Sequence, residues 1–101
     1  MVTGPLRADR RFDTATAVNF LKASGHHGRL SILRYLANGE KSVGMLEKMM
    51  DTRQAAVSQQ LARLRQEGLV DYRRDGKTIY YRLATPHVER FVAMLETAFR
   101  L

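Results

Sequence analysis

The sequence predicts a mainly α fold with a β-hairpin wing, in the order α-α-α-α-β-β-α. Three observations predict it. Apolar residues recur at helical spacing through most of the chain, the period changes to strict alternation between Val70 and Leu83, and Asp75-Gly76 interrupts that alternation. At 101 residues the chain has material for one hydrophobic core and not for two. Its composition, 45% hydrophobic and 27% charged, is that of a globular protein and not of a disordered one.

Residues 1–10 mix Gly4 and Pro5 with Arg7 and Arg10 without periodicity and read as a flexible basic arm. Residues 11–101 read as a single domain. Phe12, Ala15, Val18, Phe20 and Leu21 fit a first helix over 12–23, interrupted at Ser24-Gly25-His26-His27-Gly28. Leu30, Ile32, Leu33 and Leu36 give a second helix, and Asn38-Gly39 supplies a stop that tolerates the left-handed conformation. Ser42 suits the N-cap of a third helix carrying Val43, Leu46, Met49 and Met50, and the methionines Met45, Met49 and Met50 read as adaptable core.

Asp51-Thr52 breaks the chain before a fourth helix, Arg53 to Glu67. Val57, Leu61 and Leu64 form its core face, and Gly68 stands where a terminating glycine belongs. Val70 and Tyr72 then alternate with charged residues, as do Ile79, Tyr81 and Leu83 with Tyr80 and Arg82. With Asp75-Gly76 as a two-residue loop, Arg74 pairs with Lys77, Tyr72 with Ile79 and Val70 with Tyr81, leaving the apolar residues on one face. Pro86 opens a last helix striped by Val88, Phe91, Val92, Leu95 and Phe99.

Several function classes fall away. The absence of cysteine excludes disulfides, thiolate metal sites, iron–sulfur clusters and thiol catalysis. No run approaches the length of a membrane span, and Met1 to Arg11 lacks the apolar core of a signal peptide, so a cytoplasmic protein without membrane contact is expected. No Ser–His–acid set, carboxylate pair or phosphate loop is legible, so no catalytic residue and no enzyme activity is expected. His26 and His27 are adjacent and point apart, which suits a polar junction capping the second helix better than a shared metal. No metal and no cofactor is expected, and His87 receives no assigned role.

The charge pattern points to DNA. The chain carries 17 Lys and Arg against 10 Asp and Glu, for a formal net charge of +7. From Arg53 to Arg82 seven basic residues face three acidic ones, whereas residues 83–101 are balanced at two of each. Two short helices joined by a tight break and followed by a basic hairpin are the parts of a winged helix-turn-helix. The fourth helix is then the reading helix. A helical wheel turns Ala55, Gln59, Ala62, Arg63 and Gln66 outward, with Gln54 and Ser58 on one flank. Glutamine suits bidentate contact with adenine, serine suits a base edge or phosphate, and alanine suits a thymine methyl group. The DNA contacts are expected at Arg53, Gln54, Ala55, Ser58, Gln59 and Arg63 on the helix, and at Arg73, Arg74 and Lys77 on the wing. Read singly, the helix face is equally a solvated surface, and a basic hairpin is more often an exposed face that protects its edges with charge. Their combination favours DNA.

The runs Arg29-Leu30-Ser31-Ile32-Leu33, Gln54-Ala55-Ala56-Val57-Ser58-Gln59-Gln60-Leu61 and Arg74-Asp75-Gly76-Lys77-Thr78-Ile79-Tyr80-Tyr81-Arg82-Leu83 resemble the ArsR/SmtB family. These are small dimeric winged-helix transcriptional regulators. The chain is most like the branch holding the haemolysin regulator and the sulfide-responsive repressors. The resemblance places Gln54, Ala55, Ser58 and Gln59 at the family's DNA-contacting positions. Arg53 stands where a serine is usual, which would shift the helix cap to Thr52.

The family's sensing sites do not carry over. The thiolate metal site would fall at Ser42 and Gly44, and the last-helix metal site retains only His87, with Ala98 and Leu101 at its other positions. The branch's two switch cysteines correspond to Arg34 and Arg100, which would repel each other unless Glu96 or a bound anion lies between them.

The resemblance implies a dimeric repressor on an inverted-repeat operator of double-stranded DNA. The alternatives are an anti-silencing activator that displaces a nucleoid protein without an inducer, and a protein-interaction module on the same scaffold. The subunit contact is expected at Phe12, Val88, Phe91, Val92, Leu95 and Phe99, because the last helix holds more apolar surface than one small core consumes. The sequence identifies no effector.

Overall fold

The computed structural model describes residues 11–101, so the expected basic arm of residues 1–10 lies outside the described residues. Helix α1 runs Thr14–Ser24. Its cap is Asp13, whose carboxylate accepts from the Thr16 amide at 3.0 Å and the Thr16 hydroxyl at 2.6 Å. Those bonds hold the Asp13 carboxyl below its ordinary value.

Helix α2 runs His27–Leu36, and His26 caps it as expected. The imidazole Nδ1 accepts from the amides of Gly28 at 3.2 Å and Arg29 at 3.4 Å. Arg29 reaches the other way, donating to the carbonyls of Ala23 and Lys22 at the end of α1. The histidine–glycine interruption is thus a joint that satisfies one helix end on each side.

Strand β1, Lys41–Ser42, was not legible in the sequence; it leads into α3, Val43–Met50. Ser42 caps α3, its hydroxyl accepting from the Met45 amide at 3.2 Å. Asp51 then turns the chain with a left-handed φ of 52°. Helix α4 follows at Gln54–Gln66. The expected Thr52 cap is not formed: its hydroxyl donates to the Met50 carbonyl at 3.1 Å, and Arg53 occupies the cap position without a side-chain bond. At the other end Gly68 has φ 80°, Gly68 donates to the Arg65 carbonyl at 3.0 Å, and Leu69 donates to that of Leu64 at 2.9 Å. This is a Schellman termination, and it delivers Leu69 fully buried into the core.

Strands β2, Val70–Asp75, and β3, Thr78–Leu83, form the hairpin, and the sheet order is β1-β3-β2, antiparallel throughout. The register corrects the expectation. Asp75 pairs with Thr78, Tyr72 with Tyr81 and Val70 with Leu83, so the loop is Gly76-Lys77 and not Asp75-Gly76. Gly76 alone takes a positive φ, 65°, as a type II′ turn requires at its first central residue. The slip is two residues along the partner strand, so every side chain keeps its expected face.

Helix α5, Pro86–Ala98, begins with Thr85 as cap and proline in the first turn. The core joins Ala23 of α1, Ile32, Leu33 and Leu36 of α2, Leu46 of α3, Val57, Leu61 and Leu64 of α4, Leu69, Val70, Leu83, and Val88 and Val92 of α5. Two expectations are corrected here. Val88 and Val92 are 0% exposed within the protomer and have no surface to offer a second subunit. Met45 and Met49 are more than 40% exposed, and of the three methionines Met50 packs against the core.

Candidate nucleic-acid interface

Helix α4 sits on the core through Val57, Leu61 and Leu64, each fully buried. Truncating either leucine to alanine costs about 2–5 kcal/mol, so the buried face fixes which face remains outside. That outer face is the one expected. Gln54, Ala55, Ser58, Gln59, Ala62, Arg63 and Gln66 are all exposed, with Arg53 at the N-terminal end. Among the described residues the side chains of Gln54, Ser58, Gln59 and Arg53 make no hydrogen bond or ion pair, so their donors and acceptors are available. Arg63 lies 3.7 Å from Glu67 in a loose ion pair one turn along the helix.

The wing is less uniform than its composition. Arg74 and Lys77 are exposed at its tip and carry no ion pair among the described residues. Arg73 is differently employed. Its Nε donates to both carboxylate oxygens of Glu40, at 2.9 and 3.1 Å, and its Nη2 also bonds Glu40. The same guanidinium lies 4.9 Å from the Tyr80 ring centre. The hydrogen bond from Arg73 holds the Glu40 carboxyl below its ordinary value. Arg73 therefore fastens the wing to the segment before β1 and is less available for phosphate than Arg74 or Lys77. Glu40 was missed in the sequence, because a carboxylate 33 residues from its partner leaves no local pattern.

Arg65, on the same helix, was also missed. Its guanidinium stands 4.4 Å from the ring centre of Tyr72, and Tyr72 packs on Tyr81 with centroids 5.7 Å apart. The stack ties α4 to both wing strands. Behind α4, Gln60 lies against Gly28 of α2: a β-carbon at position 28 would come within 2.7 Å of the Gln60 amide carbon. The Gln60 Oε1 is buried without a hydrogen-bond partner. His87 Nδ1 pairs with Arg90 at 3.1 Å, and no group of three His, Asp or Glu among the described residues is placed to hold a metal.

A helix with an exposed polar face, entered by a tight turn from α3 and followed by a two-stranded wing with free basic residues at its tip, defines a winged helix-turn-helix DNA-binding protein. Comparison with known proteins is consistent with that class. The family model for bacterial regulatory proteins of the arsR family matches residues 26–72. The chain is 44% identical over 95 residues to the biofilm growth-associated repressor of Agrobacterium fabrum, covering 94% of this chain and 80% of that protein. It is 42% identical over 89 residues to the transcriptional activator HlyU of Vibrio cholerae, covering 88% and 80%. The solution structure of a homodimeric winged helix-turn-helix DNA-binding domain from Mycobacterium bovis superposes with a TM-score of 0.79 at 29% identity, covering 96% of this chain and 86% of that one. The chain belongs to the ArsR family of bacterial transcriptional regulators.

Proposed function

We propose that the protein is a homodimeric repressor that reads an inverted-repeat operator in double-stranded DNA and acts by steric exclusion. The observation that carries the reading is the unpartnered polar face of α4, Gln54, Ala55, Ser58 and Gln59, together with the exposed cations Arg53, Arg74 and Lys77, which make no ion pair among the described residues. Glutamine amides near the N-terminal end of the helix would meet base edges, with Arg63 further along, while Arg74 and Lys77 would neutralise phosphate. Arg73 would act on the wing through Glu40 and not on DNA directly.

Dimerisation is supported by the apolar surface left uncovered on two helices and their flanks. Phe12 is 61% exposed, Leu21 57%, Met94 56% and Phe99 75%, with Phe91 and Leu95 half-buried beside them. Patches of this kind on a small protein mark contact surfaces. A two-fold pair would present two copies of α4 to successive major grooves, matching an operator of inverted symmetry. This is a reading of a cytoplasmic regulator and not of an enzyme, supported by the named activities of the relatives. The similarity to an activator in Vibrio cholerae favours one second reading, in which the bound dimer displaces another DNA-binding protein and raises transcription.

The deciding experiment is footprinting of the purified protein across its genome, followed by anisotropy on a recovered site and on scrambled DNA at several salt concentrations. The reading predicts protected inverted repeats and affinity that falls steeply with salt. Equal binding to the site and its scramble would overturn sequence-specific recognition, and a monomer in sedimentation would overturn the dimer.

A further inference from the structure

We infer that Glu40 is a positioning residue for DNA binding: it holds Arg73 away from phosphate and so limits how tightly DNA of any sequence is bound. The inference rests on the DNA-binding reading proposed above. The wing carries its charges in two different ways. Alternation along β2 puts Asp71, Arg73 and Asp75 on one face of the ribbon, and Tyr72 and Arg74 on the other. Arg82 of β3 stands opposite Asp71 in the register and shares the first face. Its Nη2 lies 3.6 Å from the Asp71 carboxylate, and Arg73 is within ion-pair distance of both Glu40 and Asp75. Three carboxylates thus answer two guanidiniums there. Arg74 and Lys77, by contrast, are exposed and make no ion pair among the described residues.

Of the two carboxylates at Arg73, Glu40 has the grip. It accepts from Nε at 2.9 and 3.1 Å and from Nη2 as well, whereas Asp75 stands 3.9 Å from Nη1 without a hydrogen bond. Tyr80 lies opposite Arg73 in the register, its ring centre 4.9 Å from the guanidinium. Arg73 is the neighbour of Arg74 and lies two residues before Asp75 at the mouth of the turn, about 7 Å along the strand. A guanidinium so near the tip of a DNA-contacting wing would meet phosphate were its donors not already taken. Phosphate contacts carry no sequence information, so the restraint on Arg73 lowers affinity for the operator and for other DNA alike.

The test compares four full-length proteins: the parent, Glu40→Gln, Arg73→Gln and the double variant. Anisotropy against salt is measured on a footprinted site and on its scramble. Both side chains lie outside the core, so the variants keep the fold. Glu40→Gln is expected to bind both DNAs several-fold more tightly at low salt and to steepen the salt slope by about 0.9, the value of one added phosphate contact. In that background Arg73→Gln should remove the gain, whereas in the parent it should barely move the slope. Arg73→Gln lowers net charge equally in both backgrounds, so the difference isolates the contact from the charge. A pair that merely stiffened the wing would not steepen the slope. Unchanged slope or weaker binding in Glu40→Gln would overturn the inference, as would equal effects of Arg73→Gln in the two backgrounds. If the parent binds neither DNA, the DNA-binding reading falls and the inference with it. If the parent prefers the site and Glu40→Gln binds as the parent does, the inference alone falls.

Discussion

Arg34 on α2 grips Glu96 on α5 through two hydrogen bonds, Nε to Oε2 at 2.6 Å and Nη2 to Oε1 at 3.3 Å, across 62 residues of sequence. The carboxylate answers Arg34 and also feels Arg100, the arrangement that two neighbouring guanidiniums required. The hydrogen bond from Arg34 is the main reason the Glu96 carboxyl lies below its ordinary 4.5. A carboxylate depressed on folding stabilises the protein above its unfolded value, and that stabilisation is lost as pH falls through the folded value. Glu96→Gln should therefore melt earlier than the parent at neutral pH, with the difference shrinking in acid as pH falls below the ordinary carboxylate value and through the lowered folded one. Thermal melts at neutral and acid pH check it; a difference that persists in acid would assign the effect to packing.

Gly28 and Gln60 should be coupled. In the parent, Gly28→Ala displaces the Gln60 amide and should cost about 1–3 kcal/mol. In a Gln60→Ala background the three atoms nearest that β-carbon are gone, and the same substitution should cost less. Urea unfolding of the four proteins closes the cycle.

His26 holds the start of α2 with one ring nitrogen. His26→Ala should cost about 0.5–2 kcal/mol, and His26→Ser should recover most of it, because a hydroxyl can accept the same amides. Chemical denaturation at neutral pH measures both. If serine fails to rescue, the imidazole contributes by contact and not as a cap.

On DNA the helix and the wing should separate. Gln59→Ala should cost about 1–3 kcal/mol at the operator and relax base preference, provided the amide contacts a base edge. Arg74→Gln and Lys77→Gln should weaken all DNA alike, each flattening the salt slope by about 0.9. Arg73→Gln should change the slope less and lower the melting temperature, since its partner is Glu40. Anisotropy against salt, with melts of the free proteins, reads all four.

Much of this molecule was legible because short-range chemistry governs it. The outer face of α4 followed from three core residues at i, i+4 and i+7, and the caps at His26 and Ser42 and the stop at Gly68 followed from residue type. The hairpin was read with the correct faces and the wrong loop. Asp75-Gly76 and Gly76-Lys77 place the same glycine in a tight turn, and alternation is blind to a slip of two. The last helix misled in another way. Its wheel shows a broad apolar stripe but not which part the protomer itself consumes, and Val88 and Val92 proved to be interior. Glu40–Arg73 and Arg65–Tyr72 join residues whose proximity exists only after folding, so no local pattern announces them.

The stack of Arg65 on Tyr72 and Tyr72 on Tyr81 joins α4 to the wing like the two arms of a caliper. If α4 and the wing grip DNA, a caliper that keeps its opening leaves the duplex to adapt to it. Bending or narrowing a groove to that opening costs elastic energy that depends on the base steps between the two points of grip. Bases that no side chain touches would thereby enter the choice of operator, through their stiffness and not through their edges.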